Sequence, residues 1–352
     1  EVSSMSNERD PRIFRRHRDV VRIAHDADGF SNATSSHLQI PNGLDGPAHT
    51  RMRRLLEPFF APAALASLEP VLRRRADDLV AELSDAGSFD AVEDLGGTFA
   101  IRAQSAWLGW GAHLEPALRD WVARYRGASR AGDAAAHAEV AAEFDRIIRG
   151  ILEERRVRRR CDVTSLLMAV RTESGRRLRD DELVSILRNW TGGDLASVAA
   201  CAAVLVHWVL EDSSRAVFVA DAADPALDRV IDEVLRCDDP FVSNRRRATR
   251  DAVVAGCPVS AGEVVVLDWR EANRDPEVFG DGFDARTHAA ANLVYGSGVH
   301  VCPGRELATL QLRVLLRAFT EAGAFVTDPA APAVREEPPL AGWRTLRLRR
   351  SR

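Results

Sequence analysis

The stretch "YGSGVHVCPGRELATLQLRVLLRAF", residues 295–319, places one cysteine at the end of a glycine-spaced turn and directly before a long amphipathic helix. Gly296 and Gly298 are free to take positive φ, and without side chains they let backbone come close to a flat ligand. Pro303 suits the first turn of a helix, which puts Cys302 near a helix N-terminus, where the dipole and unpaired N–H groups favour a thiolate. A lone cysteine is by itself more often a small buried hydrophobe than a ligand. The rest of the chain has to decide between the two.

The chain has 352 residues, 46% of them hydrophobic and 28% charged, which describes an ordinary soluble core built as one large domain. Its formal charge of -4 argues against a general binder of polyanions, and with no lysine in the sequence the whole basic complement is arginine. Five cysteines (Cys161, Cys201, Cys237, Cys257 and Cys302) are odd in number and widely spaced, without a CxxC pair. Reduced thiols fit this better than disulfides or a zinc site. The longest apolar run, "ASVAACAAVLVHWVL", is too short to span a bilayer and reads as a buried core helix. No signal peptide is legible in "EVSSMSNERDPRIF", so a cytoplasmic location is expected.

Helical spacing dominates from residue 47 to about 237, with helices expected at 47–58, 62–84, 90–109, 114–128, 133–158, 180–211 and 225–237. After residue 240 short β-like runs appear, "DAVVAG", "EVVVLDW" and "WRTLRLR", interrupted by the helix after Cys302. The expectation is a mainly α fold with a small β lobe. No repeat, linker or composition break divides residues 1–352.

The cysteine turn resembles the haem-binding loop of the cytochrome P450 family, Phe-Gly-x-Gly-x-His-x-Cys-x-Gly. It is written here Tyr295-Gly296-Ser-Gly298-Val-His300-Val-Cys302-Pro-Gly304, with tyrosine for phenylalanine as the single departure. Upstream, "DEVLR" holds Glu233 and Arg236, which match the family's Glu-x-x-Arg pair on one helix face. The family completes that pair with a residue of the segment before the loop, which selects Arg286, with His288 as the alternative. "DGPAHTRMRRLLEPFF" is similar to the helix whose His and Arg meet a haem propionate, selecting His49 and Arg53, and "NRRRATRDAVVAG" is similar to the strand carrying another such arginine, Arg246. The resemblance runs in order from residue 47 to the C-terminus. It implies a P450-like fold with a shortened N-terminal part, haem b as cofactor, and Cys302 as the ligand to iron. Tyr295, Gly296, His300 and Gly304 stand beside it.

In the helix expected over 180–211, "NWTGGDLASVAAC" resembles the family's oxygen-binding groove. The resemblance makes Gly192 and Gly193 the opening over the haem and Asp194 the acid of proton delivery, and it puts Leu195 where most members carry threonine. Leucine can neither hydrogen-bond dioxygen nor pass a proton. The implied activity is oxygen- and electron-dependent oxidation, hydroxylation or oxidative coupling, of a small or medium organic substrate in secondary metabolism. Leu195 leaves two alternatives open, a peroxide-driven peroxygenase and a catalytically silent haem-binding module. No flavin or iron–sulfur segment is present, so electrons are expected from a ferredoxin and its reductase. Arg51, Arg54, Arg305 and Arg313 would give such an acidic partner a basic face.

Overall fold

A computed structural model describes residues 11–35 and 37–351. Expectations that fall on residues 1–10 lie outside the described residues.

Among the described residues there are ten helices of nine residues or more: α1 (His17–His25), α2 (Gly46–Leu56), α3 (Glu69–Ala86), α4 (Thr98–Leu108), α5 (Glu115–Ala131), α6 (Ala134–Val157), α7 (Asp180–Leu210), α8 (Ser213–Asp221), α9 (Asp224–Cys237) and α10 (Arg305–Glu321). Their ends follow local chemistry. Asp133 and Asp212 cap α6 and α8 by accepting hydrogen bonds from first-turn N–H groups. Gly109 ends α4 in the left-handed region.

The single helix expected over 62–84 is two: Pro62–Leu65 and α3. Pro70 stands in the first turn of α3, where its missing N–H costs nothing, whereas in a longer helix it would break the ladder. The helix expected from residue 90 begins with a π turn, Ala91–Gly97, before α4. Helices α1 and α8 were not anticipated.

α7 runs through the middle of the molecule. α4, α6 and α10 pack on it, and α3 packs on α10. Among the described residues α7 is the one helix long and apolar enough to cross a membrane, yet 56% of its most apolar window is buried inside the protein. It belongs to the larger of two apolar cores, with Leu195, Val198, Leu205, Phe319 and Leu315.

The smaller core lies between α1 and a four-stranded sheet, with Val20, Ile23, Val265 and Leu267. The strand order is Arg12–Phe14, Val264–Asp268, Ser243–Ala248, Phe30–Ser31, and only the first pair is parallel. Within Ser243–Ala248 the alternation of a strand turns Arg246 and Ala248 to the buried face and leaves Arg245 and Arg247 exposed.

Candidate functional site

The cysteine loop lies between the two cores. Gly298 to His300 form a turn of 3-10 helix, and the Cys302 N–H donates to the Tyr295 carbonyl at 2.9 Å, closing the loop. Gly296 and Gly298 both have φ of 73°. Around Gly296 the space is open, but a Cβ on Gly298 would lie 2.2 Å from the carbonyl oxygen of Ala24. The close approach that demands glycine at 298 is therefore to α1.

Helix α10 starts at Arg305, with Gly304 before it, so Cys302 stands outside the helix. Burial pushes the Cys302 thiol up to about 11, the Asp194 carboxylate adds to this, and the Gly304 N–H and Arg53 only partly oppose it.

Four basic side chains from three separate segments converge beside the loop. His49 of α2 and His300 of the loop have ring centroids 4.3 Å apart. One helical turn on from His49, Arg53 donates from Nη2 to the Val301 carbonyl at 2.7 Å. Arg246 reaches in from the sheet and is only 4% exposed. Two acids border the group: Asp45, 3.7 Å from His300 Nε2 and already accepting from the Asn32 N–H at 3.0 Å, and the exposed Glu57, 3.5 Å from Arg53 Nε.

The crowding shows in the protonation equilibria. Burial, then His49 and Arg246, pull His300 down to about 4, burial and Arg53 lower His49, and burial pulls Arg246 down to about 10. His49 Nε2, His300 Nδ1 and Arg53 Nε are buried without a hydrogen-bond partner. A cluster of this kind is incomplete, because buried donors and cations need acceptors and anions.

On the Glu233–Arg236 pair the sequence named the right centre and the wrong first partner. Arg236 donates to both oxygens of Glu233 at 2.8 Å, and its Nη1 donates to the Asn273 carbonyl at 2.6 Å. The third member is His288, buried with Nδ1 2.6 Å from Glu233 Oε1, whereas Arg286 is exposed. Burial alone would raise the Glu233 carboxyl, but hydrogen bonds from Arg236, His288 and the Asp284 N–H hold it below its ordinary value.

Helix α7 passes the same region. Trp190 packs edge-on against Phe60 with centroids 5.2 Å apart, and Phe60 reaches to within 3.6 Å of where a Cβ on Gly304 would stand. One turn beyond Trp190, the Asp194 carboxylate accepts from Gln104 Nε2 of α4 at 3.1 Å. Gln104 in turn accepts from Gln311 Nε2 of α10 at 3.1 Å. Burial raises Asp194 to about 7 despite the Gln104 hydrogen bond.

The two glycines differ. A Cβ on Gly192 would touch Trp121 of α5 and Phe144 of α6, while Gly193 has open space around it. Leu195 is 1% exposed and belongs to the larger core, so it does not look into the open space. Gly193 and Ser197, at i and i+4, share the less covered face, and Leu195 is about 200° around the helix from Gly193. The hydroxyl on that face is Ser197.

Comparison with known proteins decides what this arrangement is. A family model described as Cytochrome P450 matches residues 219–329. The epothilone C/D epoxidase of Sorangium cellulosum is 31% identical over 297 residues, covering 79% of this chain and 70% of that protein. The chain belongs to the cytochrome P450 family. The cyclomarin C epoxidase CymV of Salinispora arenicola is 28% identical over 355 residues, 95% of this chain and 89% of that protein. Among solved structures, a mutant of P450 EryK in complex with erythromycin B superposes with a TM-score of 0.83 at 25% identity, covering 96% of this chain and 90% of that one. A hydroxylase of himastatin biosynthesis superposes with a TM-score of 0.82 at 23% identity, covering 96% and 90%.

This P450 is an oxidoreductase that takes an organic substrate, uses haem b and depends on a redox partner. The residues present fit the cofactor: a buried thiol, and beside it buried cations and donors whose missing partners a dianionic group would supply.

Two features were invisible to sequence reasoning. The Gln311–Gln104–Asp194 chain joins three helices far apart in sequence, and no local pattern signals it. Asp45 precedes Gly46–Pro47 at the start of α2, a helix-start signal legible as such but not as a site residue. The expected basic face is weaker than the sequence suggested. Arg305 pairs with Asp232 at 2.5 Å, Arg313 with Asp228 at 2.6 Å and Arg54 with Glu173 at 3.9 Å, which leaves Arg51 as the one of the four without an ion pair among the described residues.

Proposed function

We propose that this P450 is a haem-thiolate monooxygenase in which Cys302 ligates the iron and His49, Arg53, Arg246 and His300 hold the haem propionates. The observation that carries this reading is the set of buried, unpartnered donors and cations of α2, the Arg246 strand and the cysteine loop, converging beside one buried thiol. When bound, the haem activates oxygen at an iron made electron-rich by the thiolate.

The chain's own part is to position and to move protons. Tyr295 braces the loop through its hydroxyl, 3.1 Å from Thr309 Oγ1 on α10, and the Glu233–Arg236–His288 group fixes the segment leading into it. Asp194, with a carboxyl near neutrality and a fixed donor in Gln104, can hold and release a proton at the pH of the cell. Ser197 supplies the hydroxyl on the open face of α7, in place of a threonine at 195. This reading disfavours the silent haem-binding module and the peroxide-driven peroxygenase, because acid and hydroxyl are both present.

The substrate is a natural-product scaffold of secondary metabolism, a reading supported by the named epoxidase and hydroxylase relatives. The electrons come from a ferredoxin through a ferredoxin reductase, in the cytoplasm, and residues 1–352 act as one domain. The test is the carbon-monoxide spectrum of the reduced protein beside Cys302→Ser. The wild type is expected to give the strongly red-shifted thiolate Soret band and the variant to lose it. A variant that retains the band removes Cys302 from the iron.

A further inference from the structure

A second concave site lies away from the cysteine loop. Val204, at the start of its wall, is ten residues along α7 from Asp194, about 15 Å of helix. The cleft encloses about 460 Å³, within the usual range for small-ligand sites. His207 and Trp208 of α7, Phe283, Arg335, Arg270 and Arg274 line it. None of the cysteine loop, α2 or the Asp194–Ser197 turn takes part.

Its charges do not cancel. Three acids border the cleft and each is already paired: Asp238 with Arg335 at 2.5 Å, Glu336 with Arg130 at 2.6 Å, and Glu211 with Arg215 at 2.9 Å. Arg270 and Arg274 have no carboxylate oxygen within 4.0 Å among the described residues. Asp239, whose carboxyl feels both guanidiniums, is committed to the Phe241 N–H at 2.8 Å and to Asn273 Nδ2 at 2.7 Å.

Arg274 spends Nη2 on the Cys237 carbonyl at 2.9 Å. Arg270 Nε is buried without a hydrogen-bond partner, so no protein acceptor offsets this guanidinium there. The Trp208 and Phe283 rings lie within 11° of parallel, with centroids 6.4 Å apart, and the Arg215 guanidinium stands over the Trp208 ring at 4.8 Å. Flat rings and two guanidiniums without a carboxylate partner in one cleft select a ligand with a ring and an anionic head. The bordering acids penalise a second negative charge, which favours a carboxylate over a phosphate.

We propose that this cleft binds a small aromatic carboxylate, with the head between Arg270 and Arg274 and the ring against Trp208 and Phe283, as a ligand site separate from the haem cavity. The inference does not depend on how haem is held, because calorimetry reads it with or without the cofactor. Haem-loaded protein is titrated with 2-naphthoate and with its neutral methyl ester while the Soret band is recorded.

Naphthoate is expected to bind without moving the Soret band, with the ester at least about tenfold weaker, as loss of a charge-assisted contact dictates. Arg270→Ala with Arg274→Ala should weaken naphthoate by about tenfold or more, and Phe283→Ala by a few-fold. Arg274→Glu, at an exposed position, repeats the test without touching the buried guanidinium. Equal binding of acid and ester, unchanged affinity in the arginine variants, no heat at millimolar ligand, or a Soret shift that survives the double substitution would each overturn the proposal.

Discussion

Replacing Asp194 by asparagine should change the pH dependence of stability in a direction fixed by its surroundings. The carboxyl is raised from its ordinary 3.8 to about 7, with burial as the first cause and the Gln104 hydrogen bond pulling the other way. Between those two values the folded state binds a proton that the unfolded state has lost. Stability therefore falls as pH rises through this window, at about 1.4 kcal/mol per pH unit, and the loss is complete above about pH 7. The full interval corresponds to at most about 4 kcal/mol, and the surface that Asp194 retains reduces it. Asparagine resembles the protonated acid in shape and cannot ionise, so it removes this term. The wild type and Asp194→Asn should be similarly stable near pH 4.5, and the variant should gain progressively toward pH 8, reaching about 2–4 kcal/mol. Urea unfolding followed by tryptophan fluorescence at half-unit pH steps measures the difference. Asp239, raised by burial to about 7 as well, is common to both proteins and cancels in the comparison. A difference that is flat from pH 4.5 to 8 would show that Asp194 does not carry a perturbed carboxyl and would remove it as a proton donor near neutrality.

Arg246→Ala and His49→Ala should each release haem to a scavenger at least about tenfold faster than wild type, through loss of a charge-assisted contact. Arg250→Ala, whose side chain is exposed and paired with Asp26, should match wild type; equal transfer rates for all three would take Arg246 and His49 out of the cofactor site. His288→Ala should destabilise by about 1.5–3 kcal/mol because it removes one hydrogen bond from a buried carboxylate that Arg236 still pairs, while Arg286→Ala should stay within about 0.5 kcal/mol in the same unfolding assay. Leu195→Thr buries a hydroxyl in the apolar core and should cost about 1–3 kcal/mol without improving coupling of reductant to product. Ser197→Ala should instead raise the hydrogen peroxide released per reductant consumed, and the opposite pattern would return position 195 to the open face.

Much of this protein is determined locally, and that part is legible in its sequence. The cysteine loop is a contiguous motif whose glycines, histidine and cysteine act through one stretch of backbone, so its spacing, joined in order to Glu233–Arg236 and the stretches holding His49 and Arg246, pointed to the family. The long helices were legible because apolar periodicity and capping chemistry are short-range. Arg246 could be singled out from its arginine neighbours by motif, and the pleat of the strand then gave the physical reason, turning it inward and the others out. Only the tertiary structure decided the rest. His288 displaces Arg286 because the approach of the segment to Glu233 is set by packing of distant elements and not by spacing along the chain. Gly298 owes its absent side chain to the carbonyl of Ala24, 274 positions away, and the thiol of Cys302 is governed by burial that no helix-start pattern could reveal. The phase of α7, which sends Leu195 into the core and leaves Ser197 on the open face, depends on which neighbours cover each side. A sequence records the periodicity of a helix, and only the packed fold supplies the reference direction against which that periodicity is read.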